Sequence, residues 1–192
     1  MSSHYIGPWR IDIERRDGVA RLVPATALAR VAAAALDAAG ATSPASLGLI
    51  LSDDAELAEL NAEHMGKTGP TDVLSFPMLP PELYPDHAGK DAGGAAGATG
   101  AAGAMGAFAL PAEAFALPPG QRQHLGDIIV SVERAVDQAS AGRGGQTGDI
   151  AWDARSELRL LVTHGVLHVC GWDHAEPVEE TAMRALEQRL LG

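Results

Sequence analysis

The sequence predicts an α+β fold: a single compact domain over residues 1–192, with a mixed sheet of about four strands packed with helices. Three observations carry this expectation. A length of 192 residues suits one domain, or one domain with an insertion. Strand-like and helix-like apolar periodicities alternate along the chain. No apolar run approaches the roughly 18 residues a membrane span needs, and the longest Ala-rich stretch is broken by Asp37 and Gly40.

Residues 9–16 set Trp9, Ile11 and Ile13 against Arg10, Asp12 and Glu14, the alternation of a half-buried strand. Residues 26–39 carry Leu28, Val31, Ala35 and Ala39 at helical spacing, with Gly40 placed to end the helix. Leu47, Leu49, Ile50 and Leu51 form a short, mostly buried strand. Asp53 and Glu56 read as a capping box that opens a helix through Leu57 and Leu60. Val73–Phe76 is a strand bounded by Pro70 and Pro77. Farther along, Ile128, Ile129, Val130 and Val132 make a strand and Glu133–Ser140 a helix. Asp153 can cap a longer helix reaching Val169, and Pro177 suits the first turn of a last helix carrying Met183, Leu186 and Leu190.

Between these two series the pattern stops. Residues Ala88 to Gly106 include 8 Ala and 7 Gly, and the stretch from about 88 to 120 shows no periodicity. Such a segment buries too little apolar surface to offset its ordering entropy, so it reads as a disordered insertion. The rival reading is a mobile flap over a site, to which Phe108, Leu110 and Phe115 would contribute.

Charge and composition narrow the function. With 14 basic and 25 acidic residues the chain carries a net charge of −11, which argues against a general polyanion-binding surface but leaves room for a local basic site. Eight aromatic residues in all argue against base-stacking platforms as the binding mode. The single cysteine rules out an internal disulfide and fits a reducing compartment. Charged residues from Arg10 to Asp17 leave no apolar stretch for a signal peptide, so the expected location is cytoplasmic, without membrane contact.

The segment richest in chemistry runs from His164 to His174. His164 and His168, four apart, share one helix face one turn apart. Gly171 can end that helix with a left-handed backbone and let the chain return His174 toward the same point. Three imidazoles converging at a helix end leave a fourth position open, the layout of a catalytic zinc. Glu157 and Asp173 are candidates to orient these ligands, and Cys170 reads as a small buried hydrophobe. The spacing of His, Gly at +7 and His at +10 also matches metzincin proteases, but the position of their general-base Glu holds Gly165 here.

With these residues in place the chain resembles the YbeY family of bacterial rRNA-maturation endoribonucleases. The resemblance rests on Leu60-Asn61, Gly66-Lys67 and Pro70-Thr71-Asp72-Val73-Leu74-Ser75-Phe76-Pro77; on Leu125-Gly126-Asp127 through Glu133; and on His164 to His174, which is similar to the family's H-G-x-L-H-L-x-G-Y-D-H. It spans roughly residues 45–190 outside the Ala/Gly-rich stretch. There are two departures: Met65, beside His64, stands where many members have an Arg tied to activity, and the Ala/Gly-rich stretch lengthens a loop that is ordinarily short.

The resemblance implies a zinc-dependent, single-strand-specific endoribonuclease acting in small-subunit (16S) rRNA 3′-end maturation and ribosome quality control. One Zn²⁺ per chain would be held by His164, His168 and His174. The implied partners are single-stranded rRNA and the small ribosomal subunit with its proteins, and not DNA. Lys67, Arg122 and His124 are candidate phosphate-binding cations; Asp72 and Asp127 are candidate proton acceptors, or residues that fix turns. The alternatives are a non-catalytic zinc-containing ribosome-assembly factor and a metalloprotease.

Overall fold

A computed structural model describes residues 1–88, 90, 121–142 and 152–192, so the expected insertion at about 88–120 falls almost entirely outside the described residues. In chain order the elements are β1 (Ser2–Ile6), β2 (Trp9–Arg15), α1 (Ala25–Ala38), β3 (Ala45–Ser52), α2 (Asp54–Met65), β4 (Val73–Pro77), a 3₁₀ turn (Pro81–Leu83), β5 (Gln123–Ser131), α3 (Val132–Ala141), α4 (Ala154–Val169) and α5 (Pro177–Leu191). The α+β class and the mixed sheet are as expected, but the sheet has five strands, not about four. The extra strand is β1, which pairs antiparallel with β2 across a turn at Gly7 and Pro8. It is an edge strand with its side chains largely in solvent, so burial imposes no apolar alternation on it.

The strand order is β1-β2-β3-β5-β4, with β2, β3 and β5 parallel and β4 antiparallel to β5. Ile11, Ile13, Leu47, Leu49, Ile128 and Val130 point to one face, where they meet Leu28, Ala32 and Leu36 of α1 and Leu158, Leu161 and Val162 of α4 in one buried cluster. On the opposite face Leu57 of α2 packs with Leu74 and Ile129, flanked by Ile50, Leu60 and Phe76. Helix α4 is buried on nearly every side, and so it reads as apolar around most of its circumference.

Local signals explain the boundaries. The Asp53 carboxylate accepts from Glu56 N–H, Ser131 Oγ from Arg134 N–H, and the Asp153 carboxylate from Ser156 N–H, each satisfying an orphan donor at a helix start. Only half of the expected capping box forms: the Glu56 side chain turns to Arg16 and Ser52 and does not reach back to Asp53. Arg16 in turn holds the Glu56 carboxyl below its ordinary range.

Two close approaches fix how β4, β5 and α4 sit against one another. In β5 a bulge lets Ser46 pair with His124 and Leu47 with Gly126, so that Leu125 is the extra residue and is fully buried. Gly126 has φ +152°, and a Cβ there would lie 2.4 Å from the Phe76 carbonyl oxygen. At Gly165 the second contact occurs: β4 and β5 approach α4 so closely that a Cβ would sit 3.0 Å from Val73 Cγ2 and 3.2 Å from Ile128 Cγ2. Ser75 Oγ donates to the Gly165 carbonyl at 3.1 Å and locks β4 to the turn of helix that holds His164.

Candidate metal centre

Helix α4 presents His164 and His168 one turn apart near its C-terminal end. The helix stops at Cys170, and Gly171, at φ +82°, reverses the chain; Trp172 N–H then returns to the Leu167 carbonyl at 3.0 Å. This turn carries His174 back over the helix end. One ligand atom from each of His164, His168 and His174 lies within 4.8 Å of the others, close enough to hold a metal ion. The rings of His164 and His174 stand nearly parallel at 5.6 Å, and His168 is edge-on to both.

The hydrogen bonding suits a cation at the centre. His164 Nδ1 lies 2.7 Å from Glu187 Oε1 on α5. A carboxylate only accepts, so Nδ1 carries the proton and the Nε2 lone pair of His164 faces inward. His168 makes a backbone hydrogen bond to Trp172 and faces His164 through its own Nε2, at an Nε2–Nε2 separation of 3.0 Å. Two tetrahedral imidazole ligands of one zinc would sit roughly 3.3 Å apart, so the spacing is close to that of a filled site. Burial, with His164 and His174 beside it, pushes the His168 imidazole down to about 4, which keeps it in the neutral form that binds metal.

The position of the protease general base is filled by a residue that faces elsewhere. Gly165 packs against the sheet, and no side chain could be added there without displacing Val73 or Ile128. Of the residues expected to orient the ligands, Glu157 is buried and accepts from Trp152 Nε1, two helical turns from His164. Asp173 lies beside the cluster, where its side-chain Oδ1 accepts from the His174 N–H at 2.7 Å. Sequence reasoning missed Glu187, which lies 23 residues from His164 on a separate helix. Cys170 is buried beside the site, and that burial pushes its thiol up to about 12, as a small hydrophobe requires.

The remaining candidates are not part of the histidine cluster. Lys67 is exposed just past the left-handed Gly66 that ends α2, and its side chain has no partner among the described residues. Met65, 51% exposed, is the last residue of α2, and His64 stands edge-on to Phe76. Asp72 accepts from Val73 N–H and from Gln138 Nε2, while its carbonyl receives Ser131 N–H. Asp127 pairs with His124 at 3.3 Å and fills the space above Gly48 on the neighbouring strand. Arg122 lies over the Tyr5 ring at 5.5 Å. Asp72 thus joins the start of β4 to the end of β5, whereas Asp127 lies mid-strand with its carboxylate partly in solvent.

Glu187→Ala should weaken metal affinity by about 10–100-fold while the protein stays folded, because only the orienting carboxylate is lost. Competition with a chromogenic chelator checks this, and unchanged affinity would remove Glu187 from the centre. The metal-free protein should also respond to pH. The unfolded His168 takes up its proton near 6.5, but the folded one only near 4. The metal-free protein should therefore keep this contribution above pH 6.5 and lose it as pH falls toward 4, by up to about 1.4 kcal/mol per pH unit. Urea midpoints at pH 7, 6 and 5 read it, and a His168→Asn variant should show a flatter dependence.

A family model described as Endoribonuclease YbeY matches residues 13–192 of the chain. Proteins named Endoribonuclease YbeY are similar over most of their length. The Salinispora tropica protein is 41% identical over 170 residues, covering 88% of this chain and 87% of its own. The Symbiobacterium thermophilum protein is 34% identical over 165 residues, covering 85% and 81%. That of Roseiflexus castenholzii is 31% identical over 183 residues, covering 95% and 91%. No helix among the described residues is long and apolar enough to cross a membrane.

Proposed function

The chain belongs to the Endoribonuclease YbeY family, and from that membership we propose that it is a zinc-dependent, single-strand-specific endoribonuclease. We take its substrate to be rRNA, its task the maturation of the 16S 3′ end in the cytoplasm, and its partners the small ribosomal subunit and its proteins. The observation that carries the zinc reading is the convergence of three histidines, one ligand atom of each within 4.8 Å of the others, with Glu187 holding the His164 proton on Nδ1.

His164, His168 and His174 would hold the ion, and three protein ligands leave a fourth position for water or substrate. A bound zinc lowers the pKa of water toward neutrality and polarises a phosphoryl oxygen. The chain's own part is to orient and to keep protons in place. Glu187 fixes the His164 ring with its proton on Nδ1, and the buried surroundings of His168 keep it unprotonated at neutral pH. Lys67 is the candidate cation for the scissile phosphate, in a neighbourhood where Met65 supplies no charge.

Among the described residues the cluster has three ligands, which favours an enzyme over an assembly factor with structural zinc, usually closed by four protein ligands. Gly165 at the general-base position disfavours a metalloprotease. The test is cleavage of a single-stranded 16S 3′-end fragment by the zinc-loaded protein, with the same sequence annealed into a duplex as the control. The single strand should be cut and the duplex spared, and chelation should stop the reaction until zinc is restored. Zinc binding without cleavage of either would transfer the reading to the assembly factor.

A further inference from the structure

The three ligands are held with unequal rigidity. His164 and His168 stand on a buried helix, whereas His174 is exposed on the connection between α4 and α5. Beyond its own bonds to the end of α4, that connection is held from α5 and from the segment before residue 88. Asp173 N–H donates to Glu179 Oε1 at 2.8 Å, and Glu179, on the first turn of α5, is nearly fully buried. The same oxygen receives His87 Nε2 at 2.6 Å. The side chains of His87 and Glu179 are only 7% and 4% exposed. The His87 ring stacks on Trp172 at 3.9 Å with an interplanar angle of 18°.

His87 is itself held from below. Tyr84, three residues earlier, is buried in the main core; Pro81 closes on Gly171, and Pro85 on Gly40. The segment 81–87 therefore spans from the core to the ligand loop, touching it at Gly171, Trp172 and, through Glu179, Asp173. A buried carboxylate with two donors at one oxygen is well satisfied, but it is costly once either is removed.

We propose that His87 is a positioning residue for the metal centre: through Glu179 and its stack on Trp172 it fixes the loop that presents His174. The proposal rests on reading His164, His168 and His174 as metal ligands. It ties the chain leading into residues 91–120 to the geometry of the third ligand, without placing His87 in contact with the ion.

Cobalt titration of the full-length, metal-free protein tests it, with the visible absorption of the bound ion as readout and the melting temperature of the metal-free protein alongside. His87→Phe keeps a ring on Trp172 and removes the donor to Glu179; Glu179→Ala removes the shared acceptor. Both should bind cobalt about 10–100-fold more weakly and shift its absorption bands, as loss of an outer-sphere support does. His87→Gln, which retains a donor, should restore affinity toward wild type. A lowered melting temperature with cobalt affinity and spectrum unchanged would overturn the proposal, leaving His87 a packing residue only. Failure of the wild type to bind cobalt would instead overturn the three-histidine reading itself, and the proposal with it. Should His87→Phe fail to fold, His87→Leu, which fills the same space but removes both the stack on Trp172 and the donor to Glu179, carries the same comparison: unchanged affinity and spectrum there overturn the proposal.

Discussion

Replacing His168 by alanine is expected to leave the protein folded and unable to retain metal. The side chain lies at the last turn of α4, where its ring meets His164 and His174, and alanine keeps the helix intact there. Its contribution to binding is another matter. Spread over its ligands, zinc binding is worth roughly 3 kcal/mol per ligand, on the order of a hundredfold in affinity. Elemental analysis after dialysis should find about one zinc per chain in the wild type and none in His168→Ala, with circular dichroism unchanged. Metal-dependent RNA cleavage should vanish with the metal. Full retention of zinc by the His164→Ala/His168→Ala double variant would mean that the ion sits somewhere else.

The largest effect on stability is expected at Gly126. Its φ of +152° is one that side chains rarely adopt, and a Cβ would press on the Phe76 carbonyl and the Pro77 backbone. Those atoms belong to β4, whose pairing with β5 continues in the Met78 N–H to Leu125 carbonyl bond of 2.9 Å. Backbone cannot swing aside as a side-chain tip can. Conformational strain and overpacking each cost about 1–3 kcal/mol, so Gly126→Ala should destabilise by about 3 kcal/mol or more. That is a large fraction of the whole stability of a domain this size. Gly48→Ala makes the informative contrast: there the obstruction is the Asp127 carboxylate, half in solvent and able to rotate. A urea titration should rank Gly126→Ala well below Gly48→Ala, and equal midpoints would contradict the role assigned to the bulge.

Periodicity made most elements legible in advance because burial imposes it. The apolar positions of β2, β3, β5 and α1 lie in one core, and each leaves its period in the chain. Strand β1 left none, since Ser2–Ile6 is held by backbone pairing at an edge and its side chains are mostly solvated. At the site, the histidines were legible because a helix turn and a helix-ending glycine set their convergence locally. Glu187 was not, because a contact between two helices depends on how α5 packs and has no fixed spacing. Glu157 shows the converse error. Seven residues before His164 puts it on the same face but about 10 Å along the axis, beyond a carboxylate's reach. The long reach from His87 to Glu179 was equally invisible, spanning 92 residues.

The antiparallel pairing of β4 with β5 has a consequence for how the chain can vary in length. Pro77 and Gly126 are register partners, so residues 78–122 form a hairpin connection whose two ends are pinned side by side. Closing such a connection costs chain entropy that grows only with the logarithm of its length. For a replacement of residues 91–120 by about ten Gly and Ser residues, the chain-closure term alone amounts to about 0.5 kcal/mol in favour of the shorter chain. The stem up to Lys90 would remain, and with it the contacts of Tyr84 and His87. The closure cost is therefore nearly indifferent to length at this point, while the residues at its root, Tyr84 and His87, stay under tight structural constraint.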